Sequence, residues 1–487
     1  MNGIWNHLSM DKHHSKQLCQ ISRRGLFQQV ASGLGTAAVA SLLNEDVFAS
    51  GDTLPRMPHS QPPAKAVIHL FMNGGPSQMD LLDPKPELTK HHGEDYFERI
   101  AGEVEFPDAA GSLMRSPFEF AQHGESGIWV SELMPHLATQ ADKLAIIRSL
   151  QTTNLTHEPA LYKIQSGSEF TGRPSIGAWV SYGLGTVNRN LPAYVVLDDP
   201  LGLPVNGVDN WQAGYLPPVH QGTRFRATGS PVLNLEPAFE EPDSVRSVER
   251  ELIARLDRIH RRDRPGRPQL DARISSYELA ARMQLAATDA LNLSQETAAT
   301  QKRYGIDQQV TESYGRRCLI ARRLVERGVR FVQLFINSQI WDNHSNIGTS
   351  LPDACRRTDQ PIAALIDDLA QRGLLDETLL VWGGEMGRLP ISQLPADKDP
   401  KKAGRDHNRN AICTWFAGGG TKGGTVFGAT DELGFSAVEN RVNVEDWHAT
   451  ILHLLGLHHE ELFIERTGLK ERLTGVKPAR VIDGVLA

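Results

Sequence analysis

The chain has 487 residues, 40% of them hydrophobic and 22% charged, a composition typical of a globular protein with a large core. Its formal net charge of -7 argues against nucleic acid as a partner, because nucleic-acid-binding proteins usually carry a basic surface. The four cysteines have no CxxC spacing, which argues against a zinc knuckle and against a disulfide framework.

Residues 1–49 have the features of a twin-arginine export signal. Arg23 and Arg24 precede a glycine- and alanine-rich apolar run, and "VFAS" supplies small residues where a signal peptidase cleaves. The apolar run is too short and too rich in glycine to predict a stable membrane span. We therefore expect export by the twin-arginine machinery to the periplasm or the extracellular space, with a linker over residues 50–64. The alternative is an amphipathic helix in which two arginines are adjacent by chance.

Apolar runs alternate with amphipathic segments from residue 65 onward. Continuous apolar runs typical of buried strands occupy residues 67–72, 142–150, 192–200, 329–336, 378–382 and 411–416. Helical spacing of apolar residues dominates about 236–325 and returns between the later strands. This order predicts one α/β domain over residues 65–480, with a doubly wound, mostly parallel sheet, helices on both faces and a helical insertion at about 236–325.

Polar residues that suit metal binding lie beside the ends of these predicted strands. Ligands of open α/β sheets bind at the carboxyl edge, so segments distant in sequence are expected to converge there. Carboxylates and imidazoles without thiolates suit one or two divalent ions such as Zn, Mn, Mg or Ca. The predicted ligands are Asp342, His344, Glu385, Asp406 and His407, with Asn73, Ser77 and Asp80 as further candidates after the first strand.

The candidates also have structural alternatives, and a lone D-x-H or D-H pair, such as Asp342 with His344 or Asp406 with His407, can be part of a solvated loop. Asp80 can form a turn, Ser77 can cap a helix, and Asp406 can hold the ring of His407 without touching a metal. His157 can cap the helix that follows the second strand, and Glu385 can be an exposed loop acid. The sequence leaves these alternatives open.

Four motifs together resemble the bacterial family called "domain of unknown function 1501". They are "HLFMNGGPSQMDLLDPKP", "GEMGR", "GRDHN" and "GGGTKGGTVFGATDE". Members of this family are often exported and often labelled sulfatase-like. The resemblance covers roughly residues 65–480. It implies the fold of the alkaline phosphatase and sulfatase superfamily, whose enzymes usually hold one or two divalent metals at strand ends.

The resemblance also implies roles for individual residues. Asp342 matches an aspartate ligand after a central strand, with His344 near its usual histidine partner, and His407 matches a late histidine ligand. Glu385 takes the aspartate position of a Ser-Asp-His-Gly or Ser-Asp-Asn-Gly motif. Met386 replaces the histidine or asparagine of that motif, which removes one ligand.

The position of the sulfatase nucleophile differs from the family pattern. "HEPALYKIQSG" keeps the proline and glycine offsets of the sulfatase motif, but His157 replaces the cysteine that is converted to formylglycine. The resemblance therefore implies that the protein is not a formylglycine sulfatase. Thr156 can serve as a hydroxyl nucleophile, and His157 as a ligand, an acid or base, or a nucleophile. Lys163 or Arg173 can clamp an anion.

The sequence thus predicts an exported metal-dependent hydrolase of phosphate or sulfate esters, acting on a small anionic ester or a sulfated or phosphorylated substrate. The alternative is an inactive secreted binding or scaffold protein that keeps the fold. Met386, Asn73 and the missing cysteine motif favour the alternative. Retention of His157, Asp342 and His407 favours the enzyme.

Overall fold

The computed structural model describes residues 55–226, 242–264, 268–336, 339–393 and 399–487. The predicted export signal (1–49) and the first part of the predicted linker lie outside the described residues. Cys318, Cys355 and Cys413 are buried free thiols.

The strands, in chain order, are β1 (Ala66–Phe71), β2 (Ala110–Leu113), β3 (Phe120–His123), β4 (Ile128–Ser131), β5 (Leu144–Gln151), β6 (Tyr194–Leu197), β7 (Thr223–Phe225), β8 (Phe331–Phe335), β9 (Thr378–Gly383), β10 (Gly387–Arg388), β11 (Ile391–Gln393), β12 (His407–Asn408), β13 (Ile412–Ala417), β14 (Thr425–Phe427), β15 (Ala429–Thr430), β16 (Ala437–Glu439), β17 (Val442–Asn443), β18 (Ile464–Arg466) and β19 (Leu469–Glu471).

The α-helices are α1 (Gln78–Leu81), α2 (Pro86–Lys90), α3 (Phe97–Ile100), α4 (Pro135–Ala138), α5 (His157–Ser166), α6 (Ile176–Leu184), α7 (Asp243–Arg262), α8 (Pro268–Leu291), α9 (Ala298–Arg303), α10 (Glu312–Glu326), α11 (Ile347–Gln371) and α12 (Val444–Leu454). Helices α7 to α10 follow β7 and precede β8, in the region of the predicted insertion. No helix of the described residues is long and apolar enough to cross a bilayer.

The main sheet has the strand order β14-β5-β13-β9-β1-β8-β6-β7, and β17 pairs with β5. Strand β1 lies in the interior of the sheet, parallel to β8 and β9, and every residue of its apolar sequence is buried. Strand β13 runs antiparallel to both of its neighbours, β5 and β9. Its first residue therefore lies at the edge where the parallel strands end, and the loop before β13 reaches that edge.

Helices cover both faces of the sheet. Alternate residues of β1 point to opposite faces: Ile68 and Leu70 belong to a core with helices α10 and α11, whereas Val67 and Phe71 belong to a core with α6 and α12. This confirms the predicted α/β class with a mostly parallel sheet and helices on both faces.

Candidate metal centre

Four side chains meet at the carboxyl edge of the sheet. Asp342 and His344 lie in the loop after β8, and His157 is the first residue of α5, which follows β5. His407 begins β12, in the segment that leads into the antiparallel strand β13. The chain therefore reaches one point from three separate strands.

The three imidazoles direct the same ring nitrogen toward the carboxylate of Asp342. The Nε2 atoms of His344 and His407 lie 2.8 and 3.1 Å from Oδ1, and Nε2 of His157 lies 3.2 Å from Oδ2. The Nε2 atoms of His344 and His407 are 3.0 Å apart. The three Nε2 atoms and the Asp342 oxygens are therefore close enough to surround a single ion.

The other nitrogen of each ring is held by an acceptor. Nδ1 of His157 lies 2.8 Å from Glu385 Oε1, and Nδ1 of His344 lies 2.8 Å from Gln393 Oε1. Nδ1 of His407 lies 2.8 Å from the carbonyl oxygen of Leu155 and also contacts the Glu105 carboxylate. Since these groups accept hydrogen bonds, each Nδ1 donates, and each neutral ring is left with a lone pair on Nε2. Metal-ligating histidines are oriented in this way.

The donor set fits a divalent cation. Nε2 of His157 is buried without a hydrogen-bond partner, and the inward-facing nitrogens of His344 and His407 oppose each other. Lone pairs and a carboxylate held this close repel one another unless a cation or a proton lies between them. Three imidazoles and one carboxylate are ligand types that metal sites in proteins use.

The charges at the centre are strongly coupled. Burial opposes the negative charge of Asp342, but the three imidazoles beside it and the charge of Arg388 hold its pKa well below the ordinary value. Burial likewise opposes a charge on His157, but Asp342 and Glu385 outweigh it and raise the pKa of His157 to about 9. The centre therefore attracts positive charge at neutral pH.

Arg388 fixes the position of Asp342. Its Nη2 lies 2.6 Å from Asp342 Oδ1, and its Nε donates to the carbonyl oxygen of Gly75 at 2.9 Å. Arg388 is 1% exposed and lies opposite His407 in the antiparallel pair β10–β12. This short ladder brings the arginine and the histidine to the same carboxylate.

A glycine turn after β1 allows the backbone at Asp342 to pack closely against Gly74. Gly74 has φ of +106°, and a Cβ there would lie 2.6 Å from the backbone nitrogen of Asp342. The Gly74 N–H also donates to Glu385 Oε1 at 2.9 Å. The turn therefore supports both the ligand loop and the carboxylate behind His157.

Glu385 and Asp406 are near the centre but serve the histidines. Glu385 is fully buried and contacts His157 and Gly74, as described above. Asp406 accepts hydrogen bonds from the backbone N–H groups of His407 and Phe106, at 2.8 and 2.9 Å. Asp406 also lies within 4.8 Å of ligand atoms of Glu105 and His407, but its oxygens already have these backbone partners.

The candidates after the first strand have other partners. Asp80 and Arg405 form a fully buried ion pair, with Oδ2 at 2.7 Å from Nε and Oδ1 at 3.2 Å from Nη2, and Ser77 donates to the same carboxylate. The Asn73 side-chain amide donates to the carbonyl oxygen of Ile336 at 2.9 Å, whereas its Oδ1 is buried without a hydrogen-bond partner. Because both Asp80 oxygens face a guanidinium, the predicted metal role of Asp80 and Ser77 is replaced by a structural one.

The predicted nucleophile is exposed next to His157, and both predicted anion clamps pair with other residues. Thr156 is exposed at the N-cap of α5, and its hydroxyl donates to Asn154 Oδ1 at 2.9 Å. Lys163 forms a buried ion pair with Glu445 at 2.6 Å, and Arg173 pairs with Glu471 at 3.0 Å. Both cations are thus compensated elsewhere, which removes the sequence-based reason to assign them as clamps.

Sequence reasoning missed the segment 103–106, which lies beside the histidines. Glu103 binds Arg409 through two contacts of 2.7 Å, Glu105 contacts His407, and the ring of Phe106 lies 5.4 Å from that of His344. It contains no strand end and no motif that could have identified it. Gln393 and the Leu155 carbonyl were missed for the same reason, whereas Arg388 lay inside the quoted motif "GEMGR".

The protein is an α/β protein with a mostly parallel sheet and a centre of three histidines and one aspartate at the carboxyl edge of that sheet. A family model described as "Protein of unknown function (DUF1501)" matches residues 64–486, so the chain belongs to this family, as its motifs indicated. No curated protein matches the sequence significantly.

Solved structures with a related arrangement are distant. The lipoteichoic acid synthase LtaP from Listeria monocytogenes is 9% identical, with a TM-score of 0.37, covering 91% of this chain and 81% of its own. PsFucS1 sulfatase from Pseudoalteromonas sp. is 13% identical, with a TM-score of 0.35 and coverage of 87% and 72%. A TAB5 alkaline phosphatase mutant is 12% identical, with a TM-score of 0.34 and coverage of 82% and 100%. Likeness at this level carries no argument about function.

Proposed function

We propose that this protein is an exported metal-dependent hydrolase of phosphate or sulfate esters, with the metal held by His157, Asp342, His344 and His407. One observation carries the proposal. Three imidazole Nε2 atoms lie within 3.2 Å of the oxygens of a single carboxylate, and each ring is held from behind at Nδ1.

Zinc is the metal that this donor set favours among the ions predicted from the sequence. Imidazole suits zinc, whereas magnesium and calcium prefer sites built from oxygen ligands. The other group of candidate ligands, Glu105 and Asp406 with His407, is engaged in internal hydrogen bonds. We therefore propose one ion.

The residues around the centre suit an anionic ester. A divalent ion in such a site supplies Lewis-acid polarisation of the ester oxygen and eases attack by water or a hydroxyl. The N-terminus of α5 lies beside it, and Thr156 makes no side-chain cap there. The backbone N–H groups of His157 and Glu158 can therefore receive ester oxygens, whereas Pro159 has no N–H to offer. Thr156 remains the hydroxyl nucleophile of the proposal, since it immediately precedes the ligand His157.

The test combines metal content with turnover. We expect purified protein to contain one tightly bound metal per chain and to hydrolyse nitrophenyl phosphate or nitrophenyl sulfate. A chelator should abolish hydrolysis, and metal should restore it. His407→Ala should lose both properties, whereas Asp376→Asn, at an exposed position, should keep both. Protein that binds no metal and hydrolyses neither ester would overturn the proposal.

A non-catalytic binding protein is the second candidate. The guanidinium of Arg388 lies 2.6 Å from Asp342 Oδ1 and competes with a metal for that oxygen. Stoichiometric metal without hydrolysis of either ester would favour this candidate.

Export is also proposed, from the sequence alone. Replacing Arg23 and Arg24 together by lysine should leave the protein in the cytoplasm, whereas Lys16→Arg should not affect export. Cell fractionation measures the outcome, and export of the double variant would contradict the proposed route.

A further inference from the structure

A phenylalanine lies exposed beside the metal centre. Phe106 is 45% exposed, although most large apolar side chains of this chain are buried. The centroid of its ring lies 5.4 Å from that of the His344 ring and 6.4 Å from that of the His407 ring, and both pairs meet edge to face. Phe106 therefore contacts two of the proposed ligands and still presents apolar surface to solvent.

The backbone before and at Phe106 is held by the segment that carries His407. The Phe106 N–H donates to Asp406 Oδ2 at 2.9 Å, and the same carboxylate accepts from the His407 N–H at 2.8 Å. Three residues earlier, Glu103 binds Arg409 through two contacts of 2.7 Å. The phenylalanine and the ligand histidine are thus fixed to one another.

The chain after Phe106 is held on the side of His344. It passes through the turn Pro107–Ala109 into β2, which pairs antiparallel with β11 and places Ala110 opposite Gln393. Gln393 Oε1 lies 2.8 Å from Nδ1 of His344. With an anchor on each side, the position of the Phe106 ring is set before any substrate arrives, which lowers the entropy lost on binding.

The open side of the centre is the side where Phe106 lies. The His344 side chain is 29% exposed, whereas that of His157 is 14% exposed and that of His407 is 2% exposed. A substrate therefore reaches the centre beside His344, the ring that Phe106 contacts.

An ester bound at the centre would extend as far as this ring. The alcohol part of a phosphate or sulfate ester begins one bridging oxygen beyond the phosphorus or sulfur atom. Because Phe106 contacts the ring of a proposed ligand directly, an alcohol part that leaves the centre past His344 meets its exposed surface.

The surface that Phe106 presents is uncharged and aromatic. The anionic group of the ester is bound at the metal, so the group that meets Phe106 is the alcohol part. Aromatic rings pair in offset-stacked or edge-to-face arrangements with centroids roughly 4.5–7 Å apart, and such pairs add to the gain from burying apolar surface.

We propose that Phe106 binds an aromatic ring in the alcohol part of the ester and selects aryl esters over alkyl esters. This rests on the proposed hydrolase function. Phe106 acts on substrate affinity and specificity, and the metal is held without it.

Binding of uncleavable analogues tests the aryl site without turnover. Zinc-loaded protein is titrated by calorimetry with phenylphosphonate and methylphosphonate, and with benzenesulfonate and methanesulfonate as the matching pair for sulfate esters. We expect the aryl member of at least one pair to bind about tenfold more tightly than the methyl member. Phe106→Ala should remove this preference, with zinc content and affinity for the methyl member unchanged.

Two further variants separate the ring from the fold. Phe106→Tyr keeps an aromatic ring and should keep the preference. Phe170→Ala removes a phenylalanine that is 77% exposed after α5 and is the matched control, which should bind like the wild type. Equal affinity within both pairs, or an unchanged preference in Phe106→Ala, would overturn the aryl site. Loss of zinc together with all anion binding in Phe106→Ala would show a structural role instead and would also overturn it.

Kinetics distinguishes failure of the aryl site from failure of the hydrolase. For the nitrophenyl ester that is hydrolysed, Phe106→Ala should raise KM about tenfold with kcat unchanged, because the ring contact is equal in the bound substrate and the transition state. Hydrolysis without any aryl preference would overturn the aryl site while the hydrolase remains. An aryl preference without hydrolysis of either ester would overturn the hydrolase while the aryl site remains.

Discussion

Asp342 is the side chain that all three histidines share. Its two oxygens face three imidazoles and the guanidinium of Arg388. Asp342 is the one carboxylate among the four residues, so in the proposed metal site it is the ligand that supplies negative charge to the cation. We therefore expect metal binding to depend on the charge of residue 342 more than on the size of its side chain.

Asp342→Asn tests this at constant size. An amide cannot supply the charge, so we expect metal affinity to fall by more than the roughly 10–100-fold that loss of an outer partner costs. Elemental analysis and calorimetric titration with zinc measure the change. Asp376→Asn is the control, and full metal occupancy in Asp342→Asn would contradict the proposed ligand set.

Glu385→Gln distinguishes an outer partner from a ligand. Because Glu385 holds Nδ1 of His157, we expect the glutamine variant to keep the fold and to lose about 10–100-fold in metal affinity, less than Asp342→Asn. The same zinc titration measures it, with Glu439→Gln at an exposed position as the control. An effect as large as that of Asp342→Asn would indicate direct ligation.

At the scale of elements, the direction of β13 explains how a late segment reaches the centre. Since β13 is antiparallel to β9, the residues before it lie at the carboxyl edge of β9. The two-residue pairing of β10 and β12 then aligns His407 with Arg388. Elements of only two residues thus determine which side chains meet.

We expect the glycine turn after β1 to be required for both stability and metal binding, and Gly74→Ala tests this. Gly74→Ala places a methyl group 2.6 Å from the Asp342 nitrogen and forces alanine into a positive φ, which costs about 1–3 kcal/mol. We expect a lower free energy of unfolding and weaker metal binding, measured by denaturation and zinc titration.

Gly102→Ala is the matched control for that substitution, because a Cβ at Gly102 meets no atom within 4 Å. We expect it to change neither quantity. If Gly74→Ala bound zinc as tightly as Gly102→Ala, the turn would not position Asp342.

At the scale of the whole molecule, buried histidines away from the centre link stability to pH. Burial lowers the pKa of His69 and His220 from 6.5 to about 3, with smaller contributions from His448 at His69 and from Arg56 at His220. Burial also lowers the pKa of His448 to about 4, although the Ile164 carbonyl opposes the shift. These rings are neutral in the folded protein.

Stability should therefore fall as the pH falls below about 6.5. In that range the unfolded chain binds protons that the folded chain does not, so each histidine lowers the free energy of unfolding by about 1.4 kcal/mol per pH unit. The loss continues until the folded-state pKa is reached, and above about pH 7 these groups contribute no slope. Urea denaturation at a series of pH values measures it.

His220→Gln isolates one of the three contributions. It removes the His220 contribution, so the pH slope between about 4 and 6 should become shallower by the per-histidine amount. His453→Gln, on the exposed face of α12, should keep the wild-type slope. An unchanged slope in His220→Gln would show that this ring is not neutral and buried as described.

The sequence by itself determined the α/β class, the family, and the residues Asp342, His344 and His407 that meet at the carboxyl edge. Apolar runs, glycine turns and polar strand ends are local properties of the chain, and they can be recognised without knowing which segments pack together. The resemblance of four motifs added the family.

Only the tertiary structure decided how each candidate is used. Asp80 and Arg405 are 325 residues apart in sequence, yet their buried pairing removes Asp80 from the list of metal ligands. The structure likewise places Nε2 of His157 beside Asp342 and places Glu385 at Nδ1 of the same ring. The physical reason is that a hydrogen bond depends on which atom of a side chain faces which neighbour, and packing across the whole sheet sets that orientation.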